Sequence, residues 1–351
     1  MKKNYFQRVR DITPTKFWVN NVTPQEAKLG IESGATGCTQ NPSYTWKMLT
    51  HPKGKDQAVQ LLRETLAETA DDNEAECILQ RKLVRAVSDE FMPLWESSRG
   101  QYGYVSIQGD PIHEEDPQVI VDEARKNREM NPNIMIKIPA TKAGLEAMNV
   151  LVAENTPLNA TEVMGLSQVI TLCDMYETVS QRSGQKPVMY ISLITGIFDE
   201  WLSQDVREKR VEVNQDALYQ AGMIIAKKAY QEMHDRGCRM GFIGGGVRGS
   251  QHFTEMVGAD ACITMNWEGR GSCTELIDAD LPVVSRFHNP VQPRVLDELL
   301  RKVPEFRRAY YDDGLAIEEY EHYGPVEYFR DSFIQNWENA LKEIAIQRAK
   351  T

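Results

Sequence analysis

The sequence predicts an α/β chain folded as a (β/α)8 TIM barrel, with a helical insertion after strand two and a helical C-terminal extension. Three observations predict it. Eight short apolar or β-branched runs can be counted, each preceding a helical pattern. Runs and helical patterns alternate almost without a break, the arrangement of a parallel sheet covered by helices. At 351 residues the chain exceeds the about 250 that such a barrel takes as one unit, leaving roughly 100 for extra segments. The expectation is one domain over residues 1–351: barrel about 12–280, insertion 55–98 and extension 281–351.

Strand one is read at Lys16 to Asn21, and the helix after it at Pro24 to Ser33, where Thr23 supplies the N-cap and Pro24 the first turn. Strand two runs from Ala35 to Gln40. The insertion follows as two helices, Gln57 to Ala70 and Ala75 to Trp95, with apolar residues at 59, 62, 66 and at 79, 83, 87, 91, 94; the polar Asp71-Asp72-Asn73 separates them. Strand three is Tyr102 to Gly109 and its helix Pro117 to Glu129. Strand four, Ile134 to Ala140, is apolar or proline at six of seven positions, and Lys142 to Glu154 is helical behind it. Strand five spans Pro157 to Val163, with a helix over Ser167 to Arg182. Strand six spans Val188 to Thr195, with one long helix over Val206 to Asp235. Strand seven is Met240 to Gly244, its helix Ser250 to Val257, and strand eight is Ala261 to Asn266. Beyond Leu281 only charged helical patterns remain. The last carries an apolar stripe at 333, 334, 337, 341 and 344 that must dock on its own barrel or on a neighbour, so a homo-oligomer is one expectation.

A net charge of -11 argues against nucleic acid or an anionic membrane as the main partner, since either rewards a basic patch. No apolar run approaches a membrane span, and residues 1–17 lack the apolar centre of a signal peptide, so a cytoplasmic protein is expected. The six cysteines are scattered with no CxxC, which predicts neither a zinc site nor a disulfide framework.

The one residue of strand four that is neither apolar nor proline is Lys137, a basic group inside an otherwise buried strand. Such a lysine snorkels from the strand end, pairs with a carboxylate, or loses its hydration and becomes a nucleophilic neutral amine that attacks carbonyl carbon. In a barrel, the functional groups gather at the C-terminal strand ends. Those ends offer Asn20 and Asn21, Thr39 and Asn41, Gln108 and Asp110, Asn159 and Thr161, Ser192, Arg248 and Asn266. Period-2 alternation puts Gln108 with Asp110 on one face, and Asn159 with Thr161 on another. A ring of neutral hydrogen-bonding groups around one lysine suits a polyhydroxylated carbonyl compound better than a metal or a nucleotide; no metal site or cofactor is expected. The turn Gly244-Gly245-Gly246-Val247-Arg248 before a helix is a candidate anion site, or a flexible loop.

On these residues the chain resembles the transaldolase family of Schiff-base-forming class I aldolases. Ala35-Thr36-Gly37-Cys38-Thr39-Gln40-Asn41-Pro42-Ser43 resembles its strand-two signature. Ile136-Lys137-Ile138-Pro139-Ala140-Thr141 resembles its Schiff-base segment, Asn159-Ala160-Thr161 its strand-five Asn-x-Thr, and Ile191-Ser192 with Gly196 its strand-six segment. The resemblance implies that Lys137 forms an imine with a ketose or ketose phosphate. Asn41 and Asn159 would bind hydroxyls, Thr161 would position a catalytic water, Ser192 would contact a dihydroxyacetone unit, and Asn20, Thr39 and Arg248 would line the substrate. The implied reaction breaks and forms the C3–C4 bond. Departures accompany it: Asn20 replaces an aspartate that carries the C4-hydroxyl proton, Gln108 a glutamate, Ile194 an aromatic residue, Ile197 an arginine and Gly246 a serine. Gln108 and Asp110 are therefore counted with the catalytic groups, Asp110 as the expected proton carrier. The alternatives are an aldolase or lyase for an unphosphorylated carbonyl compound, and a non-catalytic sugar-binding barrel.

Overall fold

The computed structural model describes residues 3–350. Eight parallel strands close into one barrel in sequence order: β1 (Lys16–Asn20), β2 (Gly37–Gln40), β3 (Tyr104–Ile107), β4 (Ile134–Pro139), β5 (Leu158–Val163), β6 (Met189–Ile194), β7 (Gly241–Gly245) and β8 (Ala261–Asn266). β1 closes the ring on β8, with Lys16 opposite Cys262 and Asn20 opposite Asn266. Each strand falls within its predicted run or one residue past it.

The helices are α1 (Tyr5–Ile12), α2 (Pro24–Glu32), α3 (Tyr44–Thr50), α4 (Lys55–Leu66), α5 (Asp72–Ser97), α6 (Pro117–Arg128), α7 (Lys142–Ala153) and α8 (Leu166–Ser183), followed by α9 (Thr195–Glu208), α10 (Gln215–Leu218), α11 (Ala221–Asp235), α12 (Gln251–Thr254), α13 (Cys273–Ile277), α14 (Pro293–Lys302), α15 (Pro304–Tyr310) and α16 (Gly324–Arg348). Local chemistry starts several of them. Thr23 Oγ1 accepts the Glu26 N–H while Glu26 accepts the Thr23 N–H, a reciprocal cap at the head of α2. Thr141 caps α7 by accepting from Gly144 N. Gly144 is needed for the approach of that helix to β4, since a Cβ there would lie 1.9 Å from Pro139 O.

Two helix expectations are corrected, and the destination of the C-terminal stripe is resolved. The long helix over 206–235 is three: α9 already starts at Thr195, straight off β6, and ends where Arg210 turns to φ 54; Asn214 then caps a new start by accepting from Asp216 N. The helix over 250–257 shrinks to the four residues of α12. The stripe of α16 docks on its own barrel, against α3, α4, α5 and α9 and over β5, burying Phe333, Trp337, Ala340 and Ile344. Among the described residues no helix is long and apolar enough to cross a membrane, and all six cysteines are free.

Alternation along the strands sorts side chains into layers. Outward residues such as Val105, Ile136, Ala160 and Ile191 pack with the helices in the main core. A separate cluster of Trp18, Tyr104, Met135, Ile243 and Cys262 forms the apolar floor of the barrel interior. One step nearer the C-terminal strand ends, the inward positions turn polar: Thr39, Ser106, Lys137, Asn159, Ser192 and Thr264.

Candidate active site

Above that floor the C-terminal strand ends enclose a cavity of about 190 Å³. Seven of the ten predicted site residues line it: Asn20, Thr39, Asn41, Lys137, Thr161, Ser192 and Arg248. Asn159 lies directly beneath, with Ser192 Oγ donating to its Oδ1 (2.8 Å) and its own Nδ2 donating to Ser106 Oγ (3.4 Å). The amides are braced from neighbouring strands. Thr39 Oγ1 donates to Asn20 Oδ1 at 2.7 Å, Asn20 Nδ2 to Asn266 Oδ1 at 2.8 Å, and Asn21 Nδ2 to Asn41 Oδ1 at 2.7 Å. A larger cavity, about 500 Å³, opens at the opposite end around Lys16, Trp18 and Tyr190, and holds none of the predicted groups.

Lys137 is 6 % exposed. Loss of hydration is the main influence on its amine and lowers the pKa from 10.5 to about 8, against the opposing pull of Glu162 and Glu114. The Phe333 ring of α16 roofs it, with its centroid 5.6 Å from Nζ. A substantial neutral fraction near pH 7 to 8 follows, which is what a nucleophilic amine requires.

Gln108 and Asp110 lie elsewhere, on a second cavity of about 30 Å³ behind Lys137 that Glu114 also lines. The expected continuation of strand alternation to Asp110 does not hold, because β3 ends at Ile107. The Asp110 carboxylate accepts from Asn73 Nδ2 and Ile112 N, both at 2.7 Å, and contacts His113 Nδ1 at 2.6 Å, so it is engaged away from the substrate cavity.

The glycine turn, a candidate anion site or a flexible loop, has its basic side chain engaged. Arg248 Nε donates to the Glu200 carboxylate, which also accepts from Tyr328 OH at 2.9 Å. Arg248 N faces His252 Nδ1 at 3.4 Å, and the four residues of α12 make too short a helix to add a useful dipole. Gly246 adopts φ +64, and a Cβ there would meet Ile194 at 2.6 Å and Ile197 at 2.9 Å. Among the described residues no group of three or more His, Cys, Asp or Glu is placed to hold a metal ion.

Sequence reasoning missed Glu162, Glu114 and Arg330. Glu162 is fully buried, its carboxyl raised by burial and held back by Gln108, Lys137 and Arg330. A signal existed, since a glutamate interrupts the buried strand Leu158–Val163. Alternation alone would have turned it toward the helices.

A family model for transaldolase/fructose-6-phosphate aldolase matches residues 17–269. A transaldolase of Mycobacterium ulcerans (strain Agy99) is 31 % identical over 223 residues, 58 % of this chain and 57 % of that protein. One from Thiobacillus denitrificans is 33 % identical over 153 residues, 43 % of this chain and 42 % of that protein. The matches therefore span less than two thirds of these curated relatives. A solved IMP dehydrogenase/GMP reductase-like protein from Corynebacterium glutamicum aligns over 72 % of this chain and 62 % of its own at 13 % identity and a TM-score of 0.37, too low to carry an argument. The family match runs from the second residue of β1 to beyond the end of β8 and includes the ring of groups around Lys137: the chain belongs to the transaldolase/fructose-6-phosphate aldolase family.

Proposed function

We propose that the protein is a transaldolase-type transferase that forms a Schiff base between Lys137 and a ketose or ketose phosphate, and transfers a dihydroxyacetone unit across the C3–C4 bond. The observation that carries this is the desolvated Lys137 amine facing a cup of amides and hydroxyls. The neutral amine adds to the ketone, and loss of water gives an iminium. The C4 hydroxyl then gives its proton to a water at Thr161, C4 leaves as an aldehyde, and the electron pair of the C3–C4 bond passes into the iminium. The resulting carbanion then adds to an acceptor aldehyde or is protonated. Asn41, Asn159 and Ser192 supply hydrogen bonds to hydroxyls, and Thr161, whose hydroxyl has no hydrogen-bond partner among the described residues, is free to hold a water. Asn20 cannot act as a base, since an amide takes up no proton near neutral pH.

A second reading, an aldolase or lyase for an unphosphorylated carbonyl compound, is favoured by two features. Glu200 already neutralises Arg248, and Ile197 lines the cavity where the family resemblance implies an arginine. One experiment addresses both. Purified protein is treated with borohydride in the presence of fructose 6-phosphate, fructose or dihydroxyacetone. A stable adduct at Lys137 is expected, absent in Lys137→Met, and an unmodified lysine with every ketose would reject the Schiff-base mechanism. The unphosphorylated reading predicts that fructose traps at least as well as its phosphate ester.

A further inference from the structure

The β5 strand holds its one charged residue in an unusual conformation. Pairing of β5 with β6 shifts register between Ala160 and Val163, and Glu162 adopts φ 58. The bulge is pinned by Gln168 Nε2, which donates to Glu162 O at 3.1 Å and to Ala140 O at 3.0 Å. Thus redirected, the carboxylate accepts from Gln108 Nε2 at 2.9 Å instead of pointing at the surrounding helices. Gln108 and Glu114, the latter in the loop after β3, line the same small cavity behind Lys137.

Four buried polar atoms around this point have no hydrogen-bond partner among the described residues: Glu162 Oε2, Glu114 Oε1, Gln108 Oε1 and Thr161 Oγ1. The cavity of about 30 Å³ shared by Lys137, Gln108 and Glu114 lies beside them, and a site of that size with several polar walls suits one water molecule. The charged groups facing the cluster are Lys137 from β4, Arg330 from α16, and Asp110 beside Glu114. Burial raises both carboxyls, and the charge of Glu162 raises Glu114 further, so both are pushed toward the protonated form.

We propose that Glu162, linked through Gln108 to Glu114, is the proton reservoir for imine formation and hydrolysis at Lys137, standing in for the carboxyl group that Gln108 lacks. The inference rests on the Schiff-base reading above. Lys137 adds to the ketone carbon, and the carbonyl oxygen gains the proton that the nitrogen loses, giving a carbinolamine. In dehydration the nitrogen lone pair forms the C=N bond as the C–O bond breaks. The hydroxyl leaves as water with a proton drawn from the acid pair, and the iminium is left opposite a carboxylate. Hydrolysis runs the same transfer backwards. Glu162 does not itself touch the reacting atoms. Gln108 holds it in place by its amide N–H, and the proton passes by way of Glu114 and a water in the small cavity, since an amide carries none.

The test is the rate of borohydride-trapped adduct at Lys137 with dihydroxyacetone, by rapid quench and mass spectrometry, from about pH 6 to about pH 9. Glu162→Gln, with an unchanged melting temperature, is expected to trap at least about tenfold more slowly. Gln108→Glu combined with Glu162→Gln, which places the carboxyl just past the end of β3, is expected to recover most of the rate. A merely electrostatic role has the opposite sign: removing a carboxylate that favours the Lys137 cation leaves more neutral amine and speeds trapping near neutral pH. A Glu162→Gln rate at or above that of the unaltered protein overturns the proposal. The unaltered protein supplies a check that needs no variant. Its trapping rate should pass through a maximum and fall as the acid pair loses its proton, whereas a rise to a plateau overturns the proposal. Absence of any adduct in the unaltered protein would reject the Schiff-base reading itself, a result distinct from all of these.

Discussion

At the scale of single residues, the chemistry proposed for Lys137 carries a stability cost with a definite sign. A pKa lowered from 10.5 to about 8 corresponds to about 3 kcal/mol of preference for the neutral amine. The unfolded chain binds this proton more tightly than the folded one, so protonation favours unfolding. The cost is complete below about pH 8, shrinks as pH rises and disappears near 10.5. Lys137→Met is therefore expected to unfold at higher urea at pH 7, by about 2 kcal/mol, somewhat under the full amount because Glu162 and Glu114 lose a favourable neighbour. The advantage should vanish near pH 10.5, and a midpoint unchanged or lowered at pH 7 would contradict the burial argument. The strained Glu162 backbone belongs to the same pattern, since non-glycine residues with positive φ persist where surrounding contacts over-determine them.

At the scale of elements, α16 is the component that converts a barrel mouth into a desolvated site. Phe333 covers the amine, and one turn on Trp337 Nε1 donates to Asn73 Oδ1 at 2.8 Å; Asn73 in turn donates to Asp110 at 2.7 Å. This ties the C-terminal helix to the inserted helix α5 and to the loop after β3. Phe333→Ala should readmit water to Lys137 and move its pKa back toward 10.5, so that imine formation at pH 7 falls while the rate at pH 10 is nearly retained. A pH profile of borohydride trapping unchanged from the parent would show that the roof is not what desolvates the amine. The periodic stripe in this helix was legible in the sequence, as were the two helices of the insertion. Its destination was not, because an amphipathic pattern specifies that a face is buried without specifying against what.

At the scale of the whole molecule, closure of β1 on β8 leaves the sheet without an edge, so the eight strands should open only together. Hydrogen exchange is expected to place the strand amides in one slowest class, while residues 279–292, which carry neither helix nor strand, exchange first. Strands that exchange in two well-separated classes would count against a single cooperative barrel. The sequence by itself determined the eight strands, the polar groups gathered at their C-terminal ends, and the lysine embedded among them. These follow from period, propensity and turn chemistry, which act over a few neighbouring residues. Only the tertiary structure decided that Asp110 is held by Asn73 and His113, that Glu200 occupies Arg248, that a bulge turns Glu162 to Gln108, and that Phe333 covers Lys137. Most of these contacts join residues tens to hundreds of positions apart. Whether such groups meet is set by how the closed barrel and its added helices pack, and no local pattern encodes it.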